Sequence, residues 1–135
     1  MSNYTYKDIP INKLLLDINN PRHDILKNQD EAIREMIIDQ GDKLLNLARD
    51  IVGRGINPSE LNIVANAQTG IDEYIVLEGN RRTAAIQLLL KPILASLGGK
   101  PHIIKFFKEK SVKFNEKPII KLKCVVFENR EDAMH

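Results

Sequence analysis

The chain has 135 residues, 43% of them hydrophobic, a length that supports one domain with a real core and is short for two. Its single cysteine, Cys124, excludes an internal disulfide framework and a cysteine-based zinc site, and the lack of disulfides suits a reducing cytosol. The formal net charge of +2 hides an uneven distribution: Lys100–Lys123 carries eight lysines against Glu109 and Glu116, while the stretches on either side are each net acidic.

From the N-terminus, no apolar stretch has the form of a signal peptide or the length to cross a bilayer, so a soluble, cytoplasmic protein with no membrane partner is expected. Tyr4–Ile11 alternates enough for a strand, with Leu14–Asp17 as a short continuation, and Asn19-Asn20-Pro21-Arg22 reads as a turn. Asp30 is placed to cap a helix over Glu31–Gln40, in which Ile33, Met36 and Ile37 fall at helical spacing, and Gly41 breaks it. A second helix, Asp42–Val52, carries one apolar stripe of Leu44, Leu45, Ala48, Ile51 and Val52. Gly53 and Gly55 stand where a C-cap belongs, and Pro58 prevents early resumption.

Leu61–Ala65 and Glu73–Leu77 read as two strands joined by Asn66–Ile71, whose Gln68-Thr69-Gly70 has turn chemistry. Arg81–Leu90 is apolar on nearly every face, which predicts the central buried helix. Lys91–Leu97 is a further helical turn opened by Pro92 and closed by Gly98-Gly99. Pro101–Lys110 sets Ile103, Ile104, Phe106 and Phe107 against Lys105, Lys108 and Lys110. Pro118 leads into a last strand, Ile119–Phe127, that buries Cys124 as a structural thiol. Asn129 or Asp132 can cap a helix, and the chain stops one turn into it; the expectation is one α+β domain forming part of a longer protein.

The chemistry concentrates in Tyr74–Ile86, where four residues of strand character run through Glu78 into Gly79-Asn80-Arg81-Arg82 and an Ala/Leu-rich helix. The first N–H groups of a helix lack intrahelical partners and carry the positive end of its dipole. Two always-charged guanidinium groups beside them make a site suited to a phosphate or carboxylate. Gly79 allows either a positive φ or close approach of a ligand. The same turn also reads as a tight strand–helix connection whose arginines make surface salt bridges. The lysines of 100–123 read either as a face for an acidic partner such as DNA, with Lys105, Lys108 and Lys110 the contacts, or as a solvated face. His23, His102 and His135 lack zinc-site spacing, so no metal site is assigned from the histidines.

The order of these signals resembles the N-terminal, ParB-like nuclease domain of the ParB/sulfiredoxin superfamily. It runs from Ile9-Pro10-Ile11 and Asn20-Pro21-Arg22 through a helix ending Ile51-Val52-Gly53-Arg54-Gly55-Ile56-Asn57-Pro58. Two strands follow, and then Glu78-Gly79-Asn80-Arg81-Arg82-Thr83-Ala84-Ala85. The resemblance spans residues 7–90, and Ile119–Phe127 matches the family's later strand. It implies a small mixed sheet packed against several helices, with a lysine-rich helical insertion at about 91–118.

In ParB proteins a Gly-Glu-Arg-Arg box holds the triphosphate of CTP, which implies Gly79, Asn80, Arg81 and Arg82 as the phosphate cradle. The segment after the first long helix lies beside the base in that family, which points to Gly55, Ile56, Asn57 and Pro58, with Arg22. Sulfiredoxins bind ATP on the same scaffold through a catalytic cysteine; Asn80 stands in its place here, which excludes that sulfinic-acid chemistry. Asn80 also replaces the glutamate of the ParB box. The family's second phosphate motif has no match, since the arginine of Glu128-Asn129-Arg130 comes too soon.

Magnesium would be held by a carboxylate together with nucleotide phosphates. Among Asp72, Glu73, Glu78 and Glu128, Glu78 adjoins the cradle and is the candidate catalytic residue. Three functions stay open: a CTP- or ATP-operated switch in a DNA-associated protein, with homodimerisation as one output; a DNA-binding or nuclease module; and a protein-interaction scaffold. Weak or no NTP turnover is expected from residues 1–135.

Overall fold

In the computed structural model, described here for residues 4–17, 29–67 and 72–133, a five-stranded mixed sheet packs its main core against the three longer helices. The strands are β1 (Tyr4–Pro10), β2 (Leu14–Leu16), β3 (Asn62–Asn66), β4 (Tyr74–Glu78) and β5 (Lys121–Phe127), in the order β1-β5-β3-β4-β2. β1 pairs antiparallel with β5 and β3 antiparallel with β4, whereas β5/β3 and β4/β2 are parallel pairs. The helices are α1 (Gln29–Arg54), α2 (Asn80–Leu90), α3 (Pro101–Phe114) and α4 (Arg130–Ala133), with a 3₁₀ segment at Pro92–Gly98.

The α+β class and the interspersed order agree with the sequence, with one displacement. Leu14–Leu16 does not continue β1; it lies at the opposite edge of the sheet, in register with Tyr74–Val76. Pro10, which has no N–H to donate, closes the β1 ladder, and the chain turns through Ile11–Lys13 with the Ile11 N–H donating to the Ile120 carbonyl (2.9 Å). All three β2 residues are buried, so three leucines in a row mark a strand covered on both faces.

The helix-side face supplies Ile9, Leu14, Leu16, Val64, Tyr74, Val76, Leu122, Cys124 and Val126 to the main core, alternating as strand geometry requires. Leu15, Ala67 and Ile75, with Leu77 beside them, form a smaller cluster on the other face. α2 is the central helix: Thr83, Ala84, Ala85, Ile86, Leu88 and Leu89 are all buried, which is why its sequence shows almost no polar side.

The two helices expected on either side of Gly41 are one long element bent at Gln40, whose φ of −133° and ψ of 27° leave the helical region. Asp30 lies inside its first turn rather than at its cap, because the helix already runs at Gln29. Ile33, Ile37, Leu44, Ala48 and Ile51 face the core from both halves, and Gly55, at φ +79°, ends the helix with its N–H on the Ile51 carbonyl (2.8 Å).

The 91–118 segment extends the core rather than standing apart from it. Lys91–Leu97, expected as a helical turn, is the 3₁₀ stretch, and α3 runs four residues beyond Lys110 to bury Ile103, Phe106, Phe107 and Phe114. Asn115 Nδ2 donates to the Leu89 carbonyl of α2 (2.9 Å), and Lys100 Nζ donates to the Ile38 carbonyl beside the bend in α1 (3.0 Å). Arg49 of α1 lies over the Phe106 ring, 5.4 Å from its centre. Cys124 is fully buried, and that burial, reinforced by Asp8 and opposed by Arg82, pushes its thiol up to about 12. Among the described residues no helix is long and apolar enough to cross a membrane.

Candidate functional site

The strand-to-helix turn is built around glycine. Gly79 sits at the N-cap of α2 with φ +102° and ψ 17°, a conformation that L side chains rarely adopt. A Cβ there would collide with the side-chain amide of Asn62. Of the two reasons the sequence left open for Gly79, the fold uses backbone conformation and tight packing against β3. The Gly79 carbonyl accepts the Thr83 N–H (2.9 Å) and the Thr83 hydroxyl (2.8 Å), closing the first turn.

Asn80 follows as a bracket rather than a ligand-facing group. Its Oδ1 accepts the Asp17 N–H (3.0 Å) and its Nδ2 donates to the Val76 carbonyl (2.9 Å), so the side chain ties the end of β2 to β4. What Asn80 leaves to a ligand is its backbone N–H, with those of Arg81 and Arg82, since the first intrahelical bond begins at Thr83.

The two arginines diverge. Arg82 turns inward: Nη1 donates to Asn62 Oδ1 (2.7 Å) and Nη2 to Glu60 Oε2 (2.8 Å). Asn62 is 1% exposed and donates from Nδ2 to the Thr83 hydroxyl (2.8 Å), so Arg82 is anchored from behind by a buried polar relay. Arg81 turns outward, and its one recorded side-chain partner among the described residues is the neutral amide of Gln40, with Nε donating to Oε1 at 2.8 Å. The bend in α1 is what aims Gln40 across this gap.

A cleft of about 530 Å³ stands in front of the pair, lined by Met36, Gln40, Leu47, Glu60, Leu77, Glu78, Gly79, Asn80, Arg81 and Arg82. Its walls mix two cations, two carboxylates and an apolar floor of Met36, Leu47 and Leu77. Glu78, exposed at the end of β4, also borders a smaller cleft of about 260 Å³ that it shares with Asp17, Ile63, Leu77, Arg130 and Ala133.

Arg130, set aside in the sequence because it follows β5 so closely, is folded back over the sheet. Asn129 Oδ1 caps the short α4 by accepting the Asp132 N–H (2.9 Å), and Arg130 Nη1 pairs with Asp17 Oδ2 (2.9 Å). That hydrogen bond, the largest influence, raises the Arg130 pKa, with burial opposing it. Asp17 therefore links Arg130 to Asn80, and a third arginine lies on the far side of Glu78.

The remaining expected residues lie elsewhere. Gly55, Ile56, Asn57 and Pro58 do not line the cleft. Ile56 packs against the core, and Asn57 Oδ1 accepts the Ser59 N–H (3.0 Å) and hydroxyl (2.9 Å) in a turn that carries Glu60 to Arg82. Arg22 and His23 lie outside the described residues, as does His135. Lys105 and Lys108 are exposed on the outer side of α3 and Lys110 is half-buried; none lines the cleft. His102 is exposed, 3.5 Å from Asp42. Among the described residues no three His, Cys, Asp or Glu side chains group closely enough to hold a metal ion by themselves. Gln40, Glu60, Asn62 and Thr83 were not marked as site residues in the sequence, because their role depends on contacts across 20 to 41 positions of chain.

Comparison of the chain with protein-family models, curated proteins and solved structures finds no match. The resemblance to ParB-like domains therefore rests on the residues and element order set out above.

Proposed function

We propose that the chain is a ParB-like nucleotide-binding domain whose cleft takes the phosphates of CTP or ATP, serving as a switch in a DNA-associated protein. The observation that carries this reading is Arg81. Among the described residues its side-chain partner is the neutral Gln40 amide, and it stands at the rim of a 530 Å³ cleft beside the N-terminus of α2. An anionic group there would meet the free edge of the Arg81 guanidinium and the N–H groups that open α2. The apolar floor of Met36, Leu47 and Leu77 suits a base or other flat, weakly polar portion of the ligand. Glu78 is the carboxylate available to a magnesium ion carried in on the phosphates.

The donor set fits such a group in part. The backbone N–H groups and Arg81 are available, whereas the Asn80 side chain and one edge of Arg82 are committed within the fold. The charge difference between bound and free cleft is what would bias one conformation over another.

Calorimetric titration with CTP, ATP, GTP and UTP in the presence of magnesium tests the reading. Saturable binding of one nucleotide is expected, weakened about tenfold or more in Arg81→Ala, the scale of a lost charge-assisted contact. No binding of any nucleotide overturns it. Salt-sensitive DNA binding that ignores nucleotides and falls with Lys105→Ala, Lys108→Ala and Lys110→Ala would establish the DNA-contacting alternative instead.

A further inference from the structure

We propose that Glu60 is a built-in competitor for the phosphate position on Arg82, and that it sets the affinity of the cleft; this rests on the anion-binding reading above. The Arg82 guanidinium is held at two places of unequal firmness. Behind it, the Nη1 bond goes to Asn62, 1% exposed and itself tied to Thr83. In front of it, the Nη2 bond goes to a Glu60 side chain that is 53% exposed, while that of Arg82 is only 15% exposed. The rear anchor is part of the core and the front partner is a surface group on a loop.

That loop is poorly anchored on the Glu60 side. Asn57, Pro58, Ser59 and Glu60 are all exposed, held by the Asn57 turn and by the Glu60 N–H on the Asn57 carbonyl (3.0 Å). Glu60 can therefore leave Arg82 without disturbing buried contacts. A carboxylate oxygen 2.8 Å from an Nη is also where a phosphate oxygen would lie on the same edge of the guanidinium.

The charges of the cleft give the competition its direction. Arg81 and Arg82 are offset by Glu60 and Glu78, so the walls are neutral in formal charge. A polyphosphate approaching Arg82 meets the Glu60 carboxylate first and must displace it or share the guanidinium with it. Either route costs affinity, because like charges are brought together in a partly enclosed site. Replacing Glu60 by glutamine keeps the size and a hydrogen-bond acceptor but removes the opposing charge.

The test is titration of the 135-residue chain with inorganic triphosphate, without magnesium so that no carboxylate is needed as a cation ligand. Wild type is compared with Glu60→Gln, Glu60→Ala and Glu78→Gln. Glu60→Gln and Glu60→Ala are each expected to tighten binding about tenfold, the scale of one removed opposing charge. Glu78→Gln, which removes the same charge from the same cleft without touching Arg82, should tighten it distinctly less. Equal gains from Glu60→Gln and Glu78→Gln would show a general field and overturn the competition. Unchanged affinity in both Glu60 variants, with triphosphate binding weakened in Arg81→Ala measured alongside them, would overturn it while leaving the anion site intact. If neither wild type nor any Glu60 variant binds triphosphate, both the competition and the anion site fall. If only the Glu60 variants bind, the competition is established in its strongest form.

Discussion

Two basic regions of this molecule invite comparison: the arginine turn at the start of α2 and the lysine-bearing outer side of α3. The lysines are concentrated in one stretch of the sequence, yet Lys105 and Lys108 lie exposed on a helix that packs into the core through Ile103, Phe106, Phe107 and Phe114. The two arginines are only two of the twenty basic side chains, but each is aimed by a named partner, Gln40 for Arg81 and Asn62 with Glu60 for Arg82. A density of like charge supplies a field, whereas fixed donors in front of a cavity supply a site. The contrast also separates the chemistry of the side chains. Ammonium groups on flexible stems keep their hydration, while planar guanidinium forks are held by hydrogen bonds in one orientation.

The largest expected effect tests whether α3 belongs to the core. Phe107 is fully buried, so Phe107→Ala should lower unfolding free energy by about 3–5 kcal/mol in urea titration. A loss below about 1 kcal/mol, the scale of a surface change, would mean that α3 is a loosely attached segment. Next comes the turn. Gly79→Ala combines a positive φ with a collision at Asn62 and should cost about 2–4 kcal/mol, with weaker triphosphate binding as the turn distorts. A stable variant with unchanged binding would remove the geometric half of the comparison. Smallest are Lys105→Ala and Lys108→Ala, each expected within about 0.5 kcal/mol of wild type with nucleotide affinity unchanged. Loss of nucleotide binding in either would join the two regions functionally and break the contrast between them.

Most of the fold was legible because it depends on local pattern. The all-round apolar character of 81–90 marked a central helix, and the glycine after β4 marked where strand becomes helix. The bend in α1 was visible as a helix breaker at Gly41, one residue after the non-helical Gln40. Leu14–Leu16 was misplaced because three consecutive leucines specify burial without specifying a partner, and the parallel pairing with β4 spans 60 residues. The candidate site was half legible for the same reason. Gly79, Arg81 and Arg82 fall within four consecutive residues, and their types imply anion chemistry. The groups that decide which arginine is available do not. Gln40 comes from the bend of α1, and Glu60 and Asn62 from the approach to β3; no spacing in the sequence announces that they meet α2.

Cys124 has a practical consequence. It is the chain's single thiol, with no exposure, on the core side of a strand paired on both edges, and its neutral form is favoured up to a pH of about 12. A thiol-specific reagent reaches it only when β5 separates from its neighbours, so the labelling rate at neutral pH measures how often the sheet opens. The protein thus carries its own stopwatch for unfolding. Read with and without ligand, it would convert occupancy of the cleft into a change in opening frequency, with no engineered cysteine.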